Sequence, residues 1–535
     1  MIYDVAIIGG GHNGLVAAGY LAKAGLKVVV LEKLDVLGGA AISAKTFSGV
    51  DANLSRYSYL VSLLPQQIIE DLELDIKLAP RRYGSFTPDP FANRGLLIDK
   101  ENPEATKESF YSVDAASDYP AWNDFYARTE DLAKKLFPTV LEPLRNETEV
   151  REIIGDENWN LFFEQPIGKT IAEFFDSDLV RGVVMTDALI GTFASNLDPE
   201  LDANKCFLYH VIGNQTGEWQ IPVGGMGAVT RAMSNRAREL GAELRVNCEV
   251  VAISNDRTVR FLESGEEKEL EARYVLANVA APVLDKLLGK QTENQIQGAQ
   301  VKVNMLPENR IQGAQVKVNM LLSRLPKLKS QHDPAKAFGG TFHINENFSQ
   351  LESAYQAALQ GEIPNPIPLE IYCHSITDPS ILGDQLQQSG VQTLTAFALH
   401  TPHSLLDGKD PDEMRIKLQE AVIESINSVL SEDIRELLLK DALGNPCIET
   451  KTTKDLEDVL GLPGGNIFHA PLSWPFTTDE EELNTPAKRW GVESAYSNIY
   501  YCGSTSRRGG AVSGIGGHNA AMALLESLDQ EQSNN

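Results

Sequence analysis

Three glycines and one acidic residue near the start of the chain have the types and spacing of a site for a nucleotide diphosphate. Gly9, Gly11 and Gly14 follow the apolar run 3–8, and Glu32 ends a second apolar run. Gly9 suits a tight turn, Gly11 lets the backbone approach a diphosphate, and Gly14 lets the next helix pack closely. The N-terminus of that helix offers free N–H groups to the phosphates. Glu32 can accept hydrogen bonds from both ribose hydroxyls and would repel a 2′-phosphate, which disfavours NADP.

These residues require a strand, a turn, a helix and a second strand in that order. The sequence predicts a buried strand over 3–8, a helix over 15–24 and a strand over 26–32, so the context of the glycines is complete. Residues 5–22 carry no charge, but the glycine cluster would break a membrane-spanning helix. No basic segment precedes this run, so a signal peptide is not expected.

The composition is that of a large globular protein with an acidic surface. The chain has 535 residues, 42% of them hydrophobic and 23% charged, and a net charge of −27. This length allows two or three domains. The charge argues against binding nucleic acid, or anionic lipid by charge alone. The five cysteines are scattered without a C-x-x-C pair, so we expect neither a zinc site nor a redox disulfide, and we expect the cytoplasm. Peripheral contact with a membrane and the oligomeric state stay open.

A second glycine pair comes after the acidic residue and points to a family. Gly38 and Gly39 precede Ala40 and Ala41, and together with the first fingerprint they resemble the FAD-binding amine oxidase and phytoene desaturase superfamily. Residues 53–64 are similar to the subgroup that contains pyridine nucleotide-disulfide oxidoreductase domain-containing protein 2 and the CrtO-type carotenoid ketolases. The resemblance runs, with gaps, over nearly the whole chain.

The resemblance implies FAD as the cofactor and a set of residues that would hold it. In this family the second glycine pair and a glycine at the end of a C-terminal strand lie near the pyrophosphate. A strand residue contacts the adenine through its backbone, and the N-terminus of the last helix meets the flavin ring. The implied FAD-binding residues are Gly9, Gly11, Gly14, Glu32, Lys33, Gly38, Gly39, Ala40, Val250, Gly503, Gly510, Ala511 and Val512. No catalytic residue is identified, and no metal ligand is expected.

The implied fold class is α/β, with a Rossmann-like FAD-binding domain and an interleaved α+β substrate domain. We expect the discontinuous FAD-binding domain to comprise 1–80, 216–292 and 456–535, and the substrate domain to comprise 81–215 and 293–455. Within the substrate domain the sequence predicts helices over 121–136, 171–182 and 412–430 and a strand over 391–399.

A tandem repeat lies inside the expected substrate domain. Residues 293–306 recur almost unchanged at 308–321, with Arg310 in place of Gln295. Apolar and polar residues alternate in both copies, so each is a strand candidate. The second copy runs into residues 322–326, which match the continuation of the family. We therefore predict that the second copy occupies the native strand and that the first is a surface insertion or an extra edge strand.

The expected chemistry is hydride transfer between a C–H bond of an apolar substrate, such as a carotenoid or another isoprenoid lipid, and flavin N5. One departure weakens a carotenoid assignment, because Arg507 and Arg508 stand where carotenoid enzymes of the family have His-Pro. Two guanidinium groups could stabilise a reduced flavin or bind an acidic substrate; a phosphate contact or a surface ion pair is the equally weighted alternative. His469 is a candidate for proton transfer, although a structural role is favoured.

Three alternatives from other classes remain open on the sequence. The first is a redox-neutral isomerase of polyenes that uses reduced flavin. The second is an amine or amino-acid oxidase, in which Arg507 or Arg508 would suit a carboxylate. The third is a non-catalytic flavoprotein with a closed pocket. A nicotinamide domain is not expected, because no second strand-turn-helix fingerprint has a trailing acid.

Overall fold

Two seven-stranded sheets organise residues 2–254, 257–290 and 311–534, which the computed structural model describes. The strands of the first sheet are β1 (Ile2–Ile8), β2 (Val28–Leu31), β9 (Glu243–Arg245), β10 (Cys248–Ile253), β11 (Thr258–Glu263), β12 (Glu266–Ala277) and β18 (Ile499–Tyr501). Their order is β10-β11-β12-β1-β2-β9, and β18 pairs with β12 beside this path. The pairs β1–β12, β1–β2, β2–β9 and β12–β18 are parallel, whereas β10–β11 and β11–β12 are antiparallel.

The strand β2 and residues 5–8 of β1 are apolar and buried, because packed elements cover both faces of the first sheet there. All four residues of β2 are buried, and side chains of β1 pack with the helices His12–Lys23 and Ile515–Asn534 in one core. Near-continuous apolar runs of this kind are typical of parallel strands that are buried on both faces. The predicted α/β fold class is confirmed.

The second sheet is antiparallel except for one strand pair. Its strands are β6 (Tyr83–Pro88), β7 (Gly95–Asp99), β13 (Val316–Leu322), β14 (Thr341–Ile344), β15 (Leu369–Tyr372), β16 (Gln392–Ala398) and β17 (Ile448–Lys451). Their order is β17-β13-β16-β15-β14-β6-β7, and the pair β14–β6 is parallel. One face packs against the helix Pro411–Val429 in a separate apolar core. The other face is rich in polar residues and meets a large cavity.

A helical layer with its own apolar core follows β7 in the chain. Its α-helices are Pro103–Ser112, Asp118–Leu136, Glu147–Ile154, Asp156–Trp159, Ile167–Phe174, Asp178–Met185 and Asp202–Val211. The single helix predicted over 171–182 is therefore wrong, because the chain breaks at residues 175–177. The Asp118 carboxylate accepts the backbone N–H groups of Asp176 and Ser177, and the Ser177 hydroxyl caps the next helix. These side-chain bonds replace the helical ones.

The remaining α-helices cover the sheets or connect them. They are Gln66–Asp71, Met226–Glu239, Ala281–Leu287, Pro334–Ala337, Phe348–Leu359, His374–Thr377, Asp384–Gln388, Thr453–Leu460 and Pro486–Arg489. Two small antiparallel pairs join β3 (Ser43–Lys45) to β4 (Asn53–Ser55) and β5 (Leu78–Ala79) to β8 (Ile221–Pro222). Among the described helices, none combines the length and apolar character needed to span a bilayer.

The second copy of the tandem repeat forms the strand that the sequence predicts. Residues of this copy build β13, which lies between β17 and β16 and is buried at every position. The prediction for the second copy is confirmed. The first copy, at 293–306, lies outside the described residues, so its placement stays a prediction.

Burial of β13 predicts a large loss of stability when a charge replaces one of its apolar side chains. Val318 is fully buried, with an exposed fraction of 0%. We expect Val318→Asp to lower the free energy of unfolding by more than about 4 kcal/mol, because its carboxylate would have no partner. The control Ile416→Asp, at a side chain that is 61% exposed, should change it by less than about 0.5 kcal/mol. Equal effects in chemical denaturation would contradict the placement of β13.

Candidate functional site

A single cavity of about 1390 Å³ connects the glycine turn after β1 with the polar face of the second sheet. Its wall includes Gly9 and Gly11 at one end and Glu370 and Tyr372 at the other. Ordinary ligand pockets measure about 300–1,000 Å³. The cavity therefore has room for a dinucleotide cofactor and for a second ligand.

Backbone contacts leave no space for side chains in the glycine turn. Gly9 has a φ of +98°, and a Cβ atom there would lie 2.8 Å from the carbonyl oxygen of Asn278. A Cβ atom on Gly14 would lie 2.4 Å from the carbonyl oxygen of Gly9. Beside this turn, Nε2 of His12 is buried and has no hydrogen-bond partner among the described residues. An open backbone turn, a helix N-terminus and an unpartnered imidazole nitrogen fit the diphosphate of FAD.

Glu32 connects the end of β2 to the glycine turn. Its Oε2 accepts the N–H of Gly10 at 2.7 Å, and its Oε1 accepts the N–H of Leu34 at 2.9 Å. A carboxylate has about four acceptor positions, so two remain for ribose hydroxyls. Glu32 also lines the cavity, which places those positions where the predicted role needs them.

Ten of the predicted FAD-binding residues line the cavity, and three lie behind its wall. Those at the wall are Gly9, Gly11, Glu32, Lys33, Gly39, Ala40, Val250, Gly510, Ala511 and Val512. Gly14, Gly38 and Gly503 are packing positions: the Gly38 N–H donates to the Gly10 carbonyl at 2.9 Å. A Cβ atom on Gly503 would lie 2.6 Å from Oδ1 of Asn278. Direct contact with the cofactor stays a prediction for all thirteen residues.

Lys317 on β13 is a buried amine on the cofactor side of the cavity. Its Nζ donates to the carbonyl oxygens of Ser55 at 2.7 Å and Ser58 at 3.3 Å. Ser58 in turn donates from its hydroxyl to the carbonyl of Ala40, so Lys317 lies next to the second glycine pair. Burial lowers the pKa of Lys317 to about 7, which allows it to gain or lose a proton near neutral pH.

Acidic side chains gather at the other end of the same wall. Glu370 accepts the Tyr372 hydroxyl at 2.5 Å, and Nδ1 of His343 lies 2.5 Å from Oε2 of Glu346. Burial raises the pKa of Glu370 to about 8, raises that of Asp187 to about 6, and raises that of Glu346 well above its ordinary range. Desolvation disfavours the charged form of each carboxyl group, and little positive charge lies nearby to offset this effect.

The ionisable residues of the second sheet that face the cavity were not predicted from the sequence. Lys317, His343 and Glu370 each stand between apolar residues within a strand. That alternation was a usable signal, because a charged residue in a largely buried strand needs a cavity or a partner. It could not show which strands are neighbours, so the cluster as a whole could not be predicted.

Arg507 and Arg508 do not line the cavity, which corrects the interpretation that they act on the flavin or bind substrate. Arg507 donates to the Phe476 carbonyl at 2.7 Å and to the Glu481 carboxylate at 2.6 Å. The alternative interpretation, a surface ion pair, is therefore the correct one for Arg507. Arg508 is 1% exposed and donates to three carbonyl groups, those of Thr139, Glu142 and Trp490. It holds separate chain segments together.

His469 lines the cavity, as a residue near the flavin would. Its Nδ1 lies 3.3 Å from the hydroxyl of Thr505, and burial lowers its pKa to about 4. The imidazole is therefore neutral at pH 7. This agrees with the favoured structural role, in which the ring is hydrogen-bonded and uncharged.

The fold, the glycine turn and Glu32 define a dinucleotide-binding protein. The chain belongs to the family of flavin-containing amine oxidoreductases, whose model matches residues 14–312, more than half of the chain. The predicted superfamily is confirmed, and FAD is the cofactor. The protein is thus a flavin-dependent oxidoreductase.

Three relatives illustrate how far the similarity extends. An uncharacterized protein of Mycobacterium tuberculosis is 48% identical over 538 residues, which covers 98% of this chain and 97% of that one. Pyridine nucleotide-disulfide oxidoreductase domain-containing protein 2 of Rattus norvegicus is 30% identical, covering 98% of this chain and 94% of its own. A phytoene desaturase of Rhodobacter capsulatus is 25% identical over 298 residues, about half of each chain.

A solved structure supports the fold alone. Cyclohexylamine oxidase from Brevibacterium oxydans superposes with a TM-score of 0.53, covering 98% of this chain and 99% of that one at 14% sequence identity. The two proteins therefore share an architecture.

The packing role of Arg508 can be separated from a role in flavin chemistry. We expect Arg508→Met to lower the free energy of unfolding by about 2–4 kcal/mol, because three buried carbonyl groups lose their donor. The matched control Arg507→Met should cost less than about 1 kcal/mol, as for other ion pairs at the surface. Both variants should keep the flavin absorbance spectrum of the parent. An altered spectrum in a stable Arg508→Met protein would show that Arg508 acts on the flavin after all.

Proposed function

We propose that this flavin-dependent oxidoreductase dehydrogenates a long, largely apolar substrate by hydride transfer from a C–H bond to flavin N5. The observation that supports this proposal is the size and lining of the cavity. The wall of the cavity includes the apolar side chains of Leu60, Leu63, Trp122, Val183 and Ile190. Each buried CH₂ group of a ligand contributes about 0.8 kcal/mol, so a long hydrocarbon chain can bind there with few polar contacts.

The similarity to a phytoene desaturase supports a substrate of the isoprenoid or polyene kind. An open cavity of this volume also favours an enzyme over a non-catalytic flavoprotein, for which a closed pocket is expected. The redox-neutral isomerase remains the alternative that the same cavity would suit.

Within the proposed reaction the residues of the chain orient the substrate, exclude water and accept one proton. Bound FAD supplies the hydride acceptor. Conversion of a C–C single bond into a double bond releases a hydride from one carbon and a proton from its neighbour. Lys317 Nζ, on the cofactor side and with a pKa of about 7, is the group that we propose accepts the proton. The apolar wall keeps water away from the reacting atoms.

The substrate class is tested by loading the protein with FAD, extracting the lipid that copurifies with it and incubating that lipid with the enzyme. We expect bleaching of the flavin absorbance under anaerobic conditions and a product that is two hydrogens lighter than the lipid. A product of unchanged mass would identify an isomerase instead. Release of hydrogen peroxide only with polar amines would contradict an apolar substrate.

Lys317 provides a test of the proton-transfer step through its pH profile. With the lipid substrate, the rate of flavin reduction should rise with pH around a midpoint near 7, as the amine loses its proton. Lys317→Met should lower the rate by about 10²- to 10⁴-fold and remove this midpoint. Lys317→Arg keeps donors for the Ser55 and Ser58 carbonyls but stays charged, so it should be folded, bind FAD and be equally slow. A fast Lys317→Arg enzyme would show that Lys317 only positions the backbone.

A further inference from the structure

The face of the second sheet that meets the cavity carries ionisable groups in a row across neighbouring strands. The pairing of the strands places Lys317 of β13 opposite Phe397 of β16, Phe397 opposite Glu370 of β15, and Glu370 opposite His343 of β14. All four side chains line the cavity. Neighbouring strands lie about 4.8 Å apart. On this spacing Glu370 is roughly 10 Å from the Lys317 strand, and His343 is one strand farther away.

The far end of this row has more acidic than basic groups. We call Asp187, His343, Glu346, Glu370 and Tyr372 the acid cluster. Its nearby guanidinium belongs to Arg81, which donates to the hydroxyl of Thr341 at 3.0 Å and to the carbonyl of Trp219 at 3.1 Å. Among the described residues Arg81 forms no ion pair with a carboxylate. One guanidinium thus faces three carboxyl groups, and the surplus carboxyl groups need protons or a further cation.

Two of these carboxyl groups have acceptor atoms that the described part of the chain leaves unused. Glu370 is 2% exposed, and only its Oε2 takes part in a hydrogen bond, to Tyr372. The Asp187 carboxylate, in the short turn Thr186–Ala188, has no hydrogen bond or ion pair within the described ranges. Both side chains line the cavity. Unused acceptors on a buried wall indicate a ligand that donates hydrogen bonds.

We propose that the acid cluster binds the protonated amino group of an amphiphilic substrate, whose apolar chain extends past Phe397 toward the cofactor. This inference rests on the proposed function, because it takes the cavity to be the substrate site. Asp187 and Glu370 accept hydrogen bonds from the ammonium group. The net charge of −27 attracts cations to the protein.

The proposed geometry separates the amino group from the site of oxidation. An ammonium group at Glu370 lies roughly 10 Å from the Lys317 strand, two strand spacings away. The amine is therefore an anchor that selects the position of the oxidised C–H bond along the chain. It is not the group that is oxidised, so the reaction differs from oxidation of an amine at its own carbon.

Proton release is a second consequence of an ammonium group in the cluster. Burial holds the pKa of Glu370 at about 8, so its carboxyl group is protonated at pH 7 in the free protein. The titratable groups that face it are Asp187, His343, Glu346 and Tyr372, and the Arg81 guanidinium lies over the ring of Tyr372. A cation beside Glu370 favours its carboxylate form. Binding of an amine at pH 7 should therefore release up to one proton, and binding of an alcohol should release none.

The experiment compares three probes of equal chain length on the FAD-loaded protein: n-decylamine, n-decanol and n-decanoate. Calorimetry at pH 7 in buffers of different ionisation enthalpy gives the dissociation constant and the number of protons released. We expect decylamine to bind about 10- to 100-fold more tightly than the other two probes, which is the range for a charge-assisted hydrogen bond. Only decylamine should release protons.

Two isosteric variants and a surface control assign the effect to the cluster. Asp187→Asn and Glu370→Gln should reduce the preference for decylamine to within about threefold, and Glu370→Gln should also abolish proton release. Decanol affinity and FAD content should not change in either variant. Glu200→Gln, which removes the same charge from an exposed position, should behave like the parent.

The outcomes separate this inference from the proposed function. Equal binding of decylamine and decanol by the parent protein would overturn the ammonium site and leave the apolar substrate cavity intact. A preference for decanoate would also overturn it and would make Arg81 the group that selects the ligand. Failure of all three probes to bind would remove the proposed function as well, because the cavity would then not accept an apolar chain.

Discussion

The structure depends on the close approach of backbone segments around the glycine turn. Gly14 lies against the Gly9 carbonyl, and Gly9 lies against the carbonyl of Asn278, which comes directly after β12. The side chain of Asn278 donates a hydrogen bond back to the carbonyl of Gly9 at 3.0 Å. Any side chain at these glycines would push β1, its helix and β12 apart. Because the backbone fills this space itself, the groove beside it stays open for a diphosphate.

The second sheet uses its two faces for different purposes. One face carries apolar side chains such as Val318, Ala396 and Ile371, which pack in a core. The residues between them in the chain, Lys317 and Glu370 among them, face the cavity. Period-two alternation thus gives a stable sheet and a wall that can hold charge next to an apolar ligand. The acid cluster costs folding energy, because burial raises the pKa of its carboxyl groups.

The features that could be predicted from the sequence are those set by local spacing. The strand-turn-helix-strand unit needs only residues near one another in the chain, so the glycines and Glu32 could be assigned directly. The strand of the second repeat copy could be predicted for the same reason, from its alternation and from residues 322–326 next to it. The break at 175–177 could not, because Asp118, which causes it, lies far away in the chain.

Features set by long-range pairing could not be predicted from the sequence. The row from Lys317 to His343 exists only because β13, β16, β15 and β14 pair in that order and in that register. A shift of one residue in any pair would turn its charges into the core. Likewise, the contrast between Arg507 and Arg508 depends on carbonyl groups contributed by distant segments.

The central claim is that one cavity holds the cofactor at the glycine turn and the substrate against the row on the second sheet. A crystal structure of the FAD-loaded protein with n-decylamine tests it most directly. The account predicts the diphosphate beside Gly11 and Gly39, the flavin ring between Ala40 and residues 510–512, and the alkyl chain between the ring and Phe397. FAD bound elsewhere, or a flavin ring that blocks the path from Lys317 to Glu370, would contradict it.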